Sequence, residues 1–155
     1  MTETTATPLE ATTQIAAPPE KVWSLVADPR SMARFSPQVV RSFVRGGGPV
    51  GIGTTFVNVN RRGLLVWPTQ AKVVRYAEGK DFAFRVKENY TVWSFELEAV
   101  DGGTRVTQRR EVPQGISNLS QGLTKRVLGG VDTFTAELQQ GMTETLAKVK
   151  AEAER

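Results

Sequence analysis

The chain has 155 residues, a formal charge of +4, and neither cysteine nor histidine. A chain of this length buries enough apolar surface to fold without a disulfide or a metal. The missing residue types exclude disulfides, thiolate catalysis, a Ser-His-Asp triad and any metal site built on Cys or His, so we expect no metal and no cofactor.

The N-terminal residues are polar and acidic, without the basic start and apolar stretch of a signal peptide. No window reaches the ~18 apolar residues that a membrane span requires. We therefore expect a cytoplasmic protein with no integral membrane segment. We also expect a single domain over residues 1–155, with its folded core at about 9–150 and with residues 1–8 disordered.

Two short helices are predicted after a first strand. Pro19 and Glu20 suit the first turn of a helix, and apolar residues at helical spacing follow through Val26. Asp28-Pro29 repeats this start signal for a second short helix, which Pro37 ends.

Residues 38–112 alternate between apolar and polar side chains, which is typical of half-buried antiparallel strands. Glycine-containing turns at 46–49, 61–63, 78–80 and 101–103 separate the strands. Lys72, Lys87 and Glu96 fall on the solvent faces. The alternation assigns to the interior Phe56, Asn58, Leu65, Trp67, Thr69, Ala71, Val73, Phe82, Phe84, Val86, Trp93, Phe95, Leu97, Thr104, Val106 and Gln108.

A long amphipathic helix is predicted at about Val131–Val149. Its apolar stripe consists of Val131, Phe134, Leu138, Met142, Thr145 and Val149. Gly141 beside this stripe either lets the helix approach the sheet closely or leaves room for a ligand. The preceding residues 113–130 either gate a cavity or simply connect the last strand to the helix.

These elements predict an α+β helix-grip fold: a curved antiparallel sheet of six to seven strands wrapped around the long C-terminal helix, with two short helices after the first strand. The long helix is the only large element left to cover the apolar face of the sheet. A curved sheet and one helix meet along a line, so the space beside that line is filled by side chains or left as a cavity.

The chain resembles the START/Bet v 1-like (SRPBCC) superfamily, and most of all its actinobacterial polyketide cyclase/dehydrase and lipid transport branch. The resemblance covers about residues 10–150 and rests on IAAPPEKVWSLVADPRSMARFSP, GIGTTFVNVNRRG with Trp67, DFAFRV, TVWSFELEAVDGGTRVT and GMTETLAKVK. It implies binding of lipids, sterols or aromatic polyketides between sheet and helix, with cyclisation or dehydration in some members. Several members carry an acidic residue where this chain has Gln108, which cannot act as a base.

The candidate ligand contacts are Phe56, Asn58, Trp67, Thr69, Phe84, Trp93, Phe95, Gln108, Arg110, Phe134, Leu138 and Met142. Rigid aromatic rings provide large contact areas for flat or greasy ligands, although ordinary core packing explains any one of them equally well.

Five polar positions are of interest near the predicted cavity. Asn58 either orients a ligand hydroxyl or carbonyl, or indicates a different strand register. Asn60 is expected in the 61–63 turn. Arg110 would hold a carboxylate or enolate if it pointed inward, but an arginine near a strand end is expected to point to water. Tyr90 and Glu111 are the other acid–base groups near the predicted cavity.

We expect the protein to bind a small hydrophobic or aromatic molecule, with transport of that molecule as an extension of binding, and to be a monomer or homodimer. An enzyme of the cyclase/dehydrase type is the first alternative, and polar residues converging inside the cavity would favour it. A regulatory interaction protein is the second alternative. The basic residues follow no nucleic-acid-binding motif, so we expect no nucleic-acid partner.

Overall fold

The computed structural model describes residues 8–112 and 131–155, without the side chains of 131–134. Within this part the order is strand, two short helices, six strands and a long helix, as predicted. The elements are β1 (Leu9–Ile15), α1 (Pro19–Val26), a 3₁₀ turn (Pro29–Ser31), α2 (Met32–Phe35), β2 (Val39–Val44), β3 (Thr55–Arg62), β4 (Leu65–Ala77), β5 (Asp81–Val86), β6 (Val92–Val100), β7 (Gly103–Glu111) and α3 (Val131–Ala153).

The two short helices begin and end at the predicted signals. Proline occupies the first turn of α1 and of the 3₁₀ turn. The Asp28 carboxylate accepts a hydrogen bond from the Arg30 backbone N–H at 3.0 Å, which satisfies a donor that the helix start leaves unpaired. Pro37 follows the last residues of α2 directly and cannot continue the helix.

The sheet has seven antiparallel strands in the order β1-β7-β6-β5-β4-β3-β2. Its inner face carries the predicted side chains, since Phe56, Val73, Phe95 and Val106 are each at most 2% exposed. The opposite face carries Lys72 and other residues open to solvent. The period-two prediction is therefore confirmed along the strands. It was wrong for Leu65, which is 37% exposed because it lies at the first position of β4, beside the hairpin turn.

Two irregularities in strand pairing lie between Val39 and Arg41 in β2 and between Val73 and Arg75 in β4. Such bulges bend the strand that contains them and increase its twist, which favours a curved sheet. At the other edge Gly103 begins β7 against β1. A Cβ atom there would lie 1.9 Å from the Ile15 carbonyl oxygen, so only glycine fits this approach.

Helix α3 packs against β1, β7, α1 and α2. Leu138, Met142, Thr145 and Val149 are buried as predicted, and the buried stripe continues through Leu146 and Ala153. Three side chains fasten this helix to the first strand and the residue after it. The Gln139 amide donates to the Glu10 carbonyl, the Lys150 ammonium donates to the Gln14 carbonyl, and the Glu154 carboxylate accepts from the Ala16 N–H.

The main apolar core lies between α1 and the inner face of the sheet. The rings of Trp23, Tyr76 and Phe82 meet edge to face, with the Trp23 and Tyr76 centroids 5.3 Å apart. The C-terminal half of α3 contributes Leu146, Val149 and Ala153 to the same core. Among the helices of the described residues, none is long and apolar enough to cross a membrane.

Candidate functional site

A cavity with two adjoining chambers lies between α3 and the inner face of the sheet. The outer chamber has a volume of about 650 Å³ and the inner chamber about 130 Å³. The residues lining both are Ser36, Gln38, Trp93, Gln108 and Leu138. Since these residues border each space, we treat the two chambers as one site with a mouth and a deeper end.

The wall of the inner chamber is largely aromatic. Trp67 from β4, Phe84 from β5 and Trp93 from β6 line it, and Leu138 closes it from α3. Trp93 and Phe84 are cross-strand partners in neighbouring strands, which places them side by side on one face of the sheet. The structure thus brings these four predicted contacts together.

Asn60 lies inside β3 and not in a turn, so that prediction was wrong. It pairs with Trp67 across the hairpin and is only 5% exposed. Its amide nitrogen donates to the Trp67 carbonyl at 3.2 Å and to the Thr69 hydroxyl at 3.0 Å. The hairpin turn lies at Gly63-Leu64 because β3 continues through Arg62. Asn60 therefore holds the wall near Trp67 in place.

Arg110 points into the cavity, so the expectation that it faces water was also wrong. It is 9% exposed and lines the inner chamber. Its guanidinium carbon lies 5.7 Å from the centroid of the Trp93 ring, within range of a cation–π interaction. Burial lowers the pKa of Arg110 to about 10, so the side chain is still charged at neutral pH.

Two amide oxygens face the same chamber without a hydrogen-bond donor from the part of the chain that the structure describes. They are the Oδ1 atom of Asn58 in β3 and the Oε1 atom of Gln108 in β7. Both side chains are less than 9% exposed. A buried acceptor that makes no hydrogen bond costs free energy, so each of these atoms is suited to accept a hydrogen bond from a bound molecule.

Sequence analysis missed the residues that the connecting segments contribute. The Asn89 carboxamide accepts hydrogen bonds from the N–H and hydroxyl of Thr91, and both residues line the inner chamber. The Ser36 hydroxyl accepts from the Gln38 N–H, which fixes the segment after α2 against both chambers. The Asn-X-Thr turn was a usable local signal, whereas the position of Gln38 depends on tertiary packing.

An ion pair connects the sheet to α3 at the outer chamber. Arg62 at the end of β3 holds Glu137 through two hydrogen bonds, of 2.6 Å and 2.7 Å. The Arg62 guanidinium lowers the pKa of Glu137. Gly141 approaches Pro37 and not the sheet, since a Cβ atom there would lie 3.4 Å from Pro37 Cγ. Gly141 also lines the outer chamber, as the ligand-room alternative requires.

Other predicted site residues lie elsewhere. Phe56 and Phe95 are buried in the apolar core, and neither lines a chamber. Tyr90 and Glu111 line neither chamber, and Tyr90 borders a groove on the outer face of the sheet. The glycine-rich residues 46–49 connect β2 and β3 away from both chambers, as a plain connection would.

Thr69 and Met142 line the inner and the outer chamber respectively. Phe134 belongs to α3, but its side chain, like residues 113–130, lies outside what the structure describes. Across the described ranges, no three acidic side chains come together as a metal site would need. The arrangement is suited to holding an apolar body against tryptophan while polar groups orient its inner end.

Comparison with known proteins identifies a family and a shared fold. A family model described as polyketide cyclase/dehydrase and lipid transport matches residues 6–154. No curated protein matches the chain.

Three solved structures share the fold. The di-domain ARO/CYC StfQ of the steffimycin biosynthetic pathway is 14% identical with a TM-score of 0.74, over 95% of this chain and 50% of StfQ. The KanY protein is 17% identical with a TM-score of 0.72, over 96% and 98%. The Aha1 dimer from Colwellia psychrerythraea is 17% identical with a TM-score of 0.65, over 96% and 97%. This chain thus spans about half the length of StfQ.

Proposed function

Because the chain belongs to the polyketide cyclase/dehydrase and lipid transport family, we propose that it binds a small hydrophobic or aromatic molecule in the cavity between the sheet and α3. Carrying that molecule between sites is part of the proposal. We place an aromatic part of the ligand in the inner chamber, between Trp67, Trp93 and Arg110, and any remaining part of the molecule in the outer chamber.

The observation that carries the proposal is the inner chamber itself. Its aromatic wall faces two amide oxygens that no donor of the described residues satisfies and one buried cation. If this region served only as packed core, we would expect apolar side chains at these positions, or polar side chains that pair with one another. Apolar walls with a few convergent polar groups are the usual composition of a small-molecule site.

Binding is tested with the neutral dye N-phenyl-1-naphthylamine, whose fluorescence rises in an apolar environment. We expect saturable binding at one dye per chain and quenching of tryptophan fluorescence, because Trp67 and Trp93 line the inner chamber. Native mass spectrometry of protein purified from its own host should then reveal a co-purifying small molecule. If no apolar compound changes the fluorescence or the melting temperature, the binding proposal is wrong and the interaction-protein alternative replaces it.

An enzyme of the cyclase/dehydrase type is the second candidate, and the convergence of Asn58, Gln108 and Arg110 favours it. Arg110 would stabilise an enolate while the walls hold a reactive chain in one geometry. Arg110 is the only titratable side chain among the described residues that line the inner chamber. The test is incubation with a synthetic aryl β-diketone ester: a cyclised or dehydrated product that forms faster than in buffer and is lost in Arg110→Met supports this candidate.

A further inference from the structure

The deeper end of the cavity contains three strongly buried polar side chains from two strands. Asn58 belongs to β3, and Gln108 and Arg110 belong to β7, with exposures of 8%, 6% and 9%. Three strands separate β3 from β7 in the sheet, yet all three side chains line the inner chamber. A molecule in this chamber therefore meets polar groups from two separate parts of the wall.

The two amides need hydrogen-bond donors. Within residues 8–112 and the described part of α3, Asn58 Oδ1 and Gln108 Oε1 have no hydrogen-bond partner, whereas the neighbouring Asn60 amide donates to the Trp67 carbonyl and the Thr69 hydroxyl. The hydrogen bonds of Asn60 give it a structural role that explains its burial. No such role among the described residues explains the burial of the Asn58 and Gln108 amide oxygens. A ligand hydroxyl can donate to either oxygen, while a hydrocarbon would leave both unpaired.

Arg110 needs a negative charge or a strong acceptor. Several arginines form ion pairs with a carboxylate within 4 Å. Among the described residues, no carboxylate pairs with Arg110 in this way. A buried cation is costly unless it is paired, and the Trp93 ring offsets only part of that cost. An acidic oxygen on the ligand would form a charge-assisted hydrogen bond with the guanidinium.

From these groups we propose that the ligand is a hydroxylated aromatic acid. Its ionised acid group pairs with Arg110, its ring system lies against Trp93 and Trp67, and a hydroxyl at the other end donates to Asn58. Gln108, two residues before Arg110 on the same face of β7, accepts from a further donor near the acid group. This inference rests on the proposed function and specifies its ligand chemistry.

The test compares four naphthalenes by isothermal titration calorimetry. They are 6-hydroxy-2-naphthoate with both groups, 2-naphthoate with the acid alone, 2-naphthol with the hydroxyl alone, and naphthalene with neither. We expect 6-hydroxy-2-naphthoate to bind best. Removing the acid should weaken binding about tenfold or more, and removing the hydroxyl severalfold, because charge-assisted hydrogen bonds are the stronger ones.

Variants assign each preference to a residue. Arg110→Met should abolish the advantage of 6-hydroxy-2-naphthoate over 2-naphthol, and Asn58→Leu should abolish its advantage over 2-naphthoate. The control is Arg105→Met, since Arg105 lies on the same strand but on the outer face, paired with Glu98. This control should leave all four affinities unchanged. If a variant does not fold, the ranking of the four compounds by the wild-type protein still decides.

The failures of the two proposals are distinguishable. Equal affinity for all four compounds, or an acid preference that survives Arg110→Met, overturns the hydroxylated-acid inference but leaves apolar binding intact. If naphthalene and N-phenyl-1-naphthylamine both fail to bind along with the other compounds, the binding proposal itself is wrong, and this inference falls with it.

Discussion

The guanidinium carbon of Arg110 lies 5.7 Å from the centre of the Trp93 ring, and the two residues are direct cross-strand partners in β7 and β6. This contact places a cation over the face of an aromatic ring inside the sheet, where water has little access. The ring supplies part of the stabilisation that a carboxylate would give, while leaving the guanidinium edge available to a ligand. The pair therefore combines an apolar surface and a charge at one point of the cavity wall.

Replacing Arg110 with methionine should stabilise the ligand-free protein at neutral pH. Burial lowers the pKa of Arg110 to about 10, so the charged form is less favourable in the folded than in the unfolded chain. Methionine fills similar space without this cost, and we expect a gain of about 1 kcal/mol or more, or roughly 2–4 °C in Tm. Differential scanning calorimetry measures the change, and a lower Tm for the variant would contradict it.

The stability gained in Arg110→Met should shrink at alkaline pH. Below pH 10 Arg110 is protonated in both states and its burial opposes folding. Above about pH 10 the folded chain loses this proton before the unfolded chain does, so the unfolded state binds more protons and wild-type stability rises with pH. Urea unfolding at pH 8 to 11 should show the free energies of unfolding of wild type and Arg110→Met converging. The control Arg105→Met should not converge with wild type in this way.

Trp93→Ala should mainly weaken ligand binding, whereas Phe95→Ala should mainly lower the free energy of unfolding. Trp93 lines both chambers, so its loss should weaken apolar ligands about tenfold with modest destabilisation. Phe95 is 2% exposed in the core, so its loss should cost about 3–5 kcal/mol while the remaining folded protein binds nearly as well. Dye titration and urea unfolding measure the two effects. If Trp93→Ala loses the fold first, Trp93 is a core residue and not a pocket wall.

Gly103→Ala should destabilise the fold strongly. The added methyl group would lie 1.9 Å from the Ile15 carbonyl oxygen, so β1 and β7 must separate. We expect a loss of about 2 kcal/mol or more in the free energy of unfolding. Gly48→Ala is the matched control because its Cβ would meet nothing within 4 Å, and it should change stability by less than about 0.5 kcal/mol. Equal effects of the two substitutions would contradict the predicted clash.

Chelation should change neither stability nor ligand binding. The chain has no cysteine or histidine, and the carboxylates of the described residues form no three-membered group. Thermal melts and dye titrations with and without EDTA should therefore superimpose. A stoichiometric transition metal in elemental analysis of the purified protein would refute this prediction.

Sequence periodicity was sufficient to predict the order of elements and the inward faces of the strands. Successive side chains of a strand point to opposite faces, so the alternation around Phe84 and Val106 assigns each residue to a face without knowledge of its neighbours. Local signals such as Asp28-Pro29 and Pro37 likewise fix where a helix begins and ends. These signals are local because they arise from backbone geometry over a few residues.

Only the tertiary structure decided which inward residues line the cavity. Phe95 and Trp93 have the same pattern in sequence, but Phe95 lies in the core and Trp93 at the cavity wall. The expected positions of Asn60 and Arg110 were wrong for the same reason: how far a strand continues and whether its end is covered depend on elements distant in the chain.

The partners of the buried polar groups are likewise set by distant strands. Arg110 contacts Trp93, while Asn58 Oδ1 meets no donor of the residues that the structure describes, and neither result follows from the residues beside them in sequence. The sequence alone thus determined the elements and their faces, through local backbone geometry. The tertiary structure decided where the cavity lies and which polar side chains line it. The physical reason is that the packing of distant segments determines which buried polar side chains find hydrogen-bond partners and which do not.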